Sequence, residues 1–222
     1  MKKKAVVLLS GGLDSATTLY VAVRKGFKAY ALVVDYGQRH SRELKSALEV
    51  ARFALVPFEK ITIALPWKGS SLLDEKMVLP RGGRHGKDSI PSTYVPARNT
   101  IFLSFALSYA ESLGCGDIFI GANAVDYSGY PDCRPAYLAA FNRMALLGTK
   151  RGARGKSIEV HAPLLHLKKS EIISLGVKLG VPYHLTWSCY SGGKRVCGRC
   201  DSCVLRAKGF EEAGLEDPAL QR

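Results

Sequence analysis

The 222-residue chain has no long uninterrupted apolar run, and its opening Met-Lys-Lys-Lys is followed by only five strand-like apolar residues. A membrane span needs about 20 apolar residues and a signal-peptide core about 7 or more, so neither is expected and a cytoplasmic protein is. The histidines are few, and His40, His85, His161, His166 and His184 stand at no metal-ligand spacing. There is no Ser/His/Asp nucleophile set, no persuasive catalytic cysteine, no internal repeat and no diagnostic low-complexity segment. Acidic residues are also scarce: 19 against 32 Lys plus Arg leave a net charge of +13. Such a surplus steers anions from a distance and suits a nucleotide, a carboxylate substrate or RNA without choosing among them. The basic clusters at 81–87 and 150–156 are interleaved with glycine rather than aromatics. A loop that closes over polyphosphate, an RNA strip and a solvated surface all fit them.

What the chain does contain is an alternation. Residues 5–9, 29–35, 59–63, 117–121 and 158–162 read as strands, and 15–25, 41–55, 99–113, 135–147 and 169–179 as helices. Strands separated by helices mean parallel pairing through right-handed crossovers, hence a doubly wound α/β fold on a mostly parallel five-stranded sheet. The length allows one well-buried domain, expected over 1–185, and a small appendage over 186–222. Helix 99–113 is apolar nearly all round, so it is expected beneath another layer. Residues 80–91 and 148–156 lack regular structure and are expected as mobile loops at the site mouth. Ligands of open α/β sheets lie beyond the carboxyl ends of the strands, which directs attention to 10–15, 35–38, 122–134 and 163–169.

The run Leu8-Leu9-Ser10-Gly11-Gly12-Leu13-Asp14-Ser15 turns the first strand into the first helix. Free N–H groups and the positive end of the helix dipole meet there, and side-chain-free Gly11 and Gly12 admit phosphate oxygens to the main chain. No lysine follows as it does in a P-loop NTPase, so chemistry at the α-phosphate is the better reading. SGGLDS resembles the signature of the PP-loop ATP pyrophosphatase superfamily. That resemblance implies cleavage of ATP to AMP and pyrophosphate with adenylation of an acceptor oxygen.

Cys189, Cys197, Cys200 and Cys203 read C-x7-C-x2-C-x2-C. Four thiolates so spaced close a tetrahedron around a structural Zn²⁺ with no open position, although C-x2-C-x2-C also occurs in iron–sulfur proteins. Cys115 and Cys133 fall outside this group; Cys115 reads as a small core hydrophobe, and Cys133 as either buried or reactive.

Residues 121–135, Gly-Ala-Asn-Ala-Val-Asp-Tyr-Ser-Gly-Tyr-Pro-Asp-Cys-Arg-Pro, combine acids, an Asn and an Arg at a strand mouth. Carboxylates suit the N–H edge of a guanine-like base and an arginine fork suits a carboxylate or phosphate. This segment, SGGLDS, Ser92-Thr93-Tyr94-Val95-Pro96-Ala97-Arg98-Asn99-Thr100 and the region 189–214 together resemble the 7-cyano-7-deazaguanine synthase (QueC) family, over 6–214. Ala136-Tyr137 departs from the family pattern, where an acidic residue is expected, so no acid/base role is carried to position 136.

The resemblance implies an adenine nucleotide alpha hydrolase-like, Rossmann-like fold that converts 7-carboxy-7-deazaguanine, ammonia and ATP to 7-cyano-7-deazaguanine. It implies Mg²⁺ with the ATP, one structural zinc per subunit, a homodimer, and neither direct nucleic-acid nor membrane partners. On this reading Leu8, Leu9, Ser10, Gly11, Gly12, Leu13, Asp14 and Ser15 hold ATP, with Asp14 helping position Mg²⁺ and Asp35 and Tyr36 near the nucleoside. Asn123, Asp126, Tyr127, Asp132, Arg134 and Asn99 bind the deazaguanine acid, Asp126 and Asp132 at its edge and Arg134 at its carboxylate. Lys169, with Arg98, stabilises the leaving pyrophosphate, so that Lys169, Asp14 and Arg98 form the catalytic set. A PP-loop tRNA thiolase and a non-enzymatic zinc-knuckle module are the alternatives. The first needs an RNA platform and a cysteine pair, and the second leaves SGGLDS unexplained.

Overall fold

The computed structural model describes residues 2–39, 41–82, 90–125 and 129–220. Strands β1 (Lys4–Leu8), β2 (Lys28–Asp35), β3 (Phe58–Thr62), β4 (Asp117–Phe119) and β5 (Glu159–His161) form one parallel sheet in the order β3-β2-β1-β4-β5. Helices α1 (Leu13–Arg24), α2 (Arg42–Phe53), α3 (Arg98–Ser112), α4 (Pro135–Gly148) and α5 (Lys169–Lys178) fall close to the expected segments, and α6 (Asp201–Glu212) follows them.

The layers follow from the pleat. Ala5, Val7 and Leu9 face a core shared with α1, α2 and α5, while Val6 and Leu8 face a second core with α3 and α4. Both sides of β1 are therefore dry, which is why its sequence is continuously apolar rather than alternating. From β1 the chain builds outward through β2 to β3, then returns to the other flank of β1 as β4 and β5. The carboxyl ends of β1 and β4 thus border the point where strand order reverses, the ligand position of this architecture.

Two expectations are corrected. Helix α3 buries only Leu103, Ala106 and Ala110 fully and leaves Phe105 40% exposed, so it forms the outer layer. Its small serines, Ser104, Ser108 and Ser112, lie outward and let an apolar-looking helix meet water. Residues 148–156 lead into β5, so in a parallel sheet they sit at the edge opposite the site. They are tied down there by Arg151, whose N–H donates to Glu111 Oε1 at 2.9 Å and whose Nε donates to the Ser157 carbonyl at 2.9 Å.

The segment after α5 folds back on that helix and on the glycine loop. Helix α6 packs on α5 so closely that a Cβ at Gly209 would run into the Lys169 stem. Buried Arg206 forks onto Asp217 at 2.8 and 2.9 Å and donates to Thr186 Oγ1 at 2.8 Å. Burying this charge is tolerable because nearly every donor is met. Among the described residues, no helix is long and apolar enough to cross a membrane.

Candidate active site

The glycine loop after β1 takes a shape that only its own residues allow. Gly11 has φ +88°, and a Cβ there would strike the Glu43 carbonyl oxygen and lie 2.6 Å from the Ala47 nitrogen of α2. Gly12 caps α1 in extended conformation, with no side chain taking the first-turn N–H groups. Donors at the positive end of a helix are thus left for an external acceptor. Ser15 Oγ accepts from the Ser10 N–H at 3.2 Å and lies 3.0 Å from Ser10 Oγ, which fixes the loop from within. Across the switch point, a Cβ at Gly121 would sit 3.0 Å from the backbone of Asp14 and Ser15, so β4 abuts the same turn.

This loop forms one wall of a cavity of about 240 Å³ that is also lined by Tyr36, Gln38, Arg39, Glu43, Arg98, Asn99, Asn123 and Lys169. Lys169, the first residue of α5, reaches both Asp14 carboxylate oxygens at 2.8 Å. Arg98, at the start of α3, donates from Nη1 to the Tyr36 hydroxyl at 3.1 Å. Burial opposes the Arg98 charge, but Tyr36, Tyr130 and Asp132 outweigh it and hold the guanidinium protonated. Glu43 behaves in the opposite way: burial pushes its carboxyl up to about 7, opposed by Arg98 and reinforced by Cys189. A pocket with a glycine cradle, two fixed cations and an easily protonated acid is suited to a polyphosphate beside an acyl acceptor.

A family model described as queuosine biosynthesis protein QueC matches residues 4–214. The chain belongs to the QueC family. Relatives named 7-cyano-7-deazaguanine synthase are 55% identical in Thermoplasma acidophilum, over 98% of this chain and 91% of the relative, and 56% identical in Coxiella burnetii, over 97% and 96%. Two solved structures share the fold of this QueC family chain. One is NMN synthetase from Francisella tularensis, at a TM-score of 0.50 and 18% identity over 99% of this chain and 81% of the other. The second is a 4-thiouridine synthetase solved with RNA and ATP, at 0.52 and 17% over 99% and 53%.

The cavity of this QueC family chain gathers Leu8, Leu9, Ser10, Gly12, Leu13, Asp14, Ser15, Tyr36, Arg98, Asn99, Asn123 and Lys169 from the expected residues. Others go elsewhere. Asp35 pairs with Lys60 at 3.0 Å and lines a separate recess beside Trp67. Asp132 is buried outside the cavity lining, where its Oδ2 accepts the Asn99 N–H at 3.0 Å and so caps α3. Asn123 lines the cavity, yet its Nδ2 donates to the carbonyls of Leu164 at 3.2 Å and Leu167 at 2.7 Å. Arg134 is exposed at the start of α4 and does not line the cavity. Asp126 and Tyr127 lie outside the described residues.

The cysteines of the C-terminal segment form a built cluster. The Sγ atoms of Cys189, Cys197, Cys200 and Cys203 all lie within 4.8 Å of one another, and Cys197 and Cys203 are 3.9 Å apart. A metal–sulfur bond of about 2.3 Å gives a tetrahedral edge of about 3.8 Å, so the four can hold one metal ion. Backbone N–H groups of Ser191 and Cys197 donate to Cys189 Sγ at 3.4 and 3.3 Å, as thiolates require. Cys133 is buried and its thiol is pushed up to about 12, chiefly by burial, while burial also raises Cys115. Neither is a reactive thiol.

The cluster also reaches the glycine loop. The Trp187 N–H donates to the Gly11 carbonyl at 2.9 Å, its indole Nε1 donates to the Cys189 carbonyl at 2.9 Å, and Arg42 stacks 4.6 Å from its ring. Ser188, Tyr190 and Ser202 complete the cavity wall. Sequence reasoning missed these three and Glu43. Glu43 was findable, as an acid in the first turn of the helix that follows the second strand.

Proposed function

We propose that this chain makes 7-cyano-7-deazaguanine from 7-carboxy-7-deazaguanine, ammonia and ATP, as a step of queuosine biosynthesis. The observation that carries the proposal is the uncapped glycine loop facing Lys169 and Arg98 across one cavity. A carboxylate resists ammonia because oxide is a poor leaving group. Attack of its oxygen on the α-phosphorus of ATP releases pyrophosphate and gives an acyl adenylate, whose leaving group is AMP. Ammonia then attacks the acyl carbon, the C–O bond breaks, and an amide forms. Adenylation of the amide oxygen by a second ATP releases a second pyrophosphate, and loss of both N–H protons and of AMP then gives the nitrile.

In this reading Ser10, Gly12, Leu13, Asp14 and Ser15 hold the phosphates through the first turn of α1, and Tyr36 borders the nucleoside with Leu8 and Leu9 beneath. Lys169 steadies the departing pyrophosphate as a cation already in place before reaction. Arg98, with its charge secured, meets the substrate carboxylate, and Asn99 lies beside it. Asp14 keeps lone pairs beyond those used by Lys169, so it fits as an oxygen donor toward Mg²⁺, which neutralises polyphosphate charge when bound. Four closely set sulfurs with backbone donors suit zinc, in a structural role.

A homodimer and a cytoplasmic setting belong to the same proposal. The six cysteines are all free, which suits a reducing compartment. The test is incubation with ATP, ammonium and the acid, read by mass spectrometry. The expected products are the nitrile, AMP and pyrophosphate without tRNA; a requirement for tRNA would defeat the reading.

A further inference from the structure

We propose that Glu43 is the proton acceptor for the nitrogen chemistry at this site, an assignment that rests on the ammonia-dependent reaction just described. Each stage after the first adenylation takes a proton from nitrogen. The ammonium formed by attack on the acyl carbon must lose one before AMP leaves. The amide nitrogen loses another when its oxygen is adenylated, and the last N–H pair becomes the third carbon–nitrogen bond as the second AMP departs. None of these needs an oxidant or a further reactant, but each needs a base within reach of one point in space.

Among the described residues lining the cavity, Asp14 and Glu43 are the carboxylates, and none is a histidine. Asp14 is held by Lys169 through both oxygens. The Glu43 carboxylate makes no hydrogen bond or ion pair among the described residues. Its position is nonetheless firm, because its own carbonyl oxygen is the atom that packs on Gly11. The side chain is thus tied to the loop that would hold the phosphates of the activated acid. Charged and titratable groups face it from each neighbouring element: Arg98 from α3, Tyr36 from the end of β2, and Cys189 from the C-terminal segment. Arg98 across the cavity favours the deprotonated carboxylate, the form that can take up a proton.

The test separates activation from proton transfer. Adenylation of the carboxylate moves no proton, so acid-dependent exchange of labelled pyrophosphate into ATP should stay within about threefold in Glu43→Gln. General-base loss should slow amide and nitrile formation by about 100-fold or more. Glu43→Asp, which keeps a carboxylate one methylene shorter, should restore part of the amide rate that Glu43→Gln loses. Nitrile formation at the wild-type rate by Glu43→Gln would overturn the assignment. So would exchange and amide formation falling together, or a loss confined to KM for the acid, which would mark a residue that recognises the base. Absence of amide from the wild type would instead strike the proposed reaction, and this assignment with it.

Discussion

The loops that follow β1 and β4 meet at the switch point, yet one leaves its polar groups open and the other commits them to the protein. After β1, the first turn of α1 presents N–H groups that no side chain takes among the described residues, while the Gly12 N–H donates only weakly to Ser10 Oγ at 3.4 Å. After β4, the polar side chains serve neighbouring backbone instead, Asn123 holding the carbonyls ahead of α5 and Asp132 capping α3. A helix end that binds a ligand must be left bare, and a helix end that only supports must be capped. Variants of the first loop should therefore alter chemistry, and variants of the second should alter stability.

Removing the metal should do most, because the C-terminal segment braces the first loop. With the proposed zinc bound, Cys197→Ser or chelation should destabilise residues 187–212, because a structural metal in such a module supplies on the order of 10 kcal/mol. Because the Trp187 N–H holds the Gly11 carbonyl, ATP affinity should fall in parallel with metal content, as calorimetry and metal analysis would show. Lys169→Ala comes next, with kcat reduced by about 100-fold or more and a much smaller change in Tm. Equal rates would remove the pyrophosphate role.

Arg98, at the start of α3 in the cavity wall, and Arg134, in the segment after β4, then sharpen the contrast between site and support. Arg98→Ala should raise KM for the acid at least tenfold, while Arg134→Ala, whose side chain is exposed outside the cavity, should leave it nearly unchanged. A reversed order in steady-state kinetics would relocate the carboxylate. Glu43→Gln has a stability signature of its own. A carboxyl raised from 4.5 to about 7 on folding costs the wild type stability as pH rises through that interval, and the glutamine variant should lack this decline in urea titrations. Smallest is Asp132→Ala, which frees the Asn99 N–H and should cost about 1 kcal/mol with little change in kcat.

The same contrast explains what was legible in the sequence. Continuous apolar strands, helical spacing and a glycine pair state their roles locally, so the sheet and the β1 loop could be read residue by residue. Lys169 was directed to the site by its place at a helix start beyond a strand end, and the cavity lining includes it. Asp132 was read as a ligand for the base because capping a helix 33 residues away leaves no mark in the sequence. Glu43, Ser188 and Ser202 were missed for a related reason. Their place in the cavity depends on α2 pressing on Gly11 and on a distant segment folding back, and neither contact has a local pattern.

The most direct measurement follows the substrate oxygens. With both carboxylate oxygens of 7-carboxy-7-deazaguanine replaced by ¹⁸O, two AMP should form per nitrile, each with one label on its phosphate. Label in inorganic phosphate, or ADP in place of AMP, would contradict activation next to the ribose.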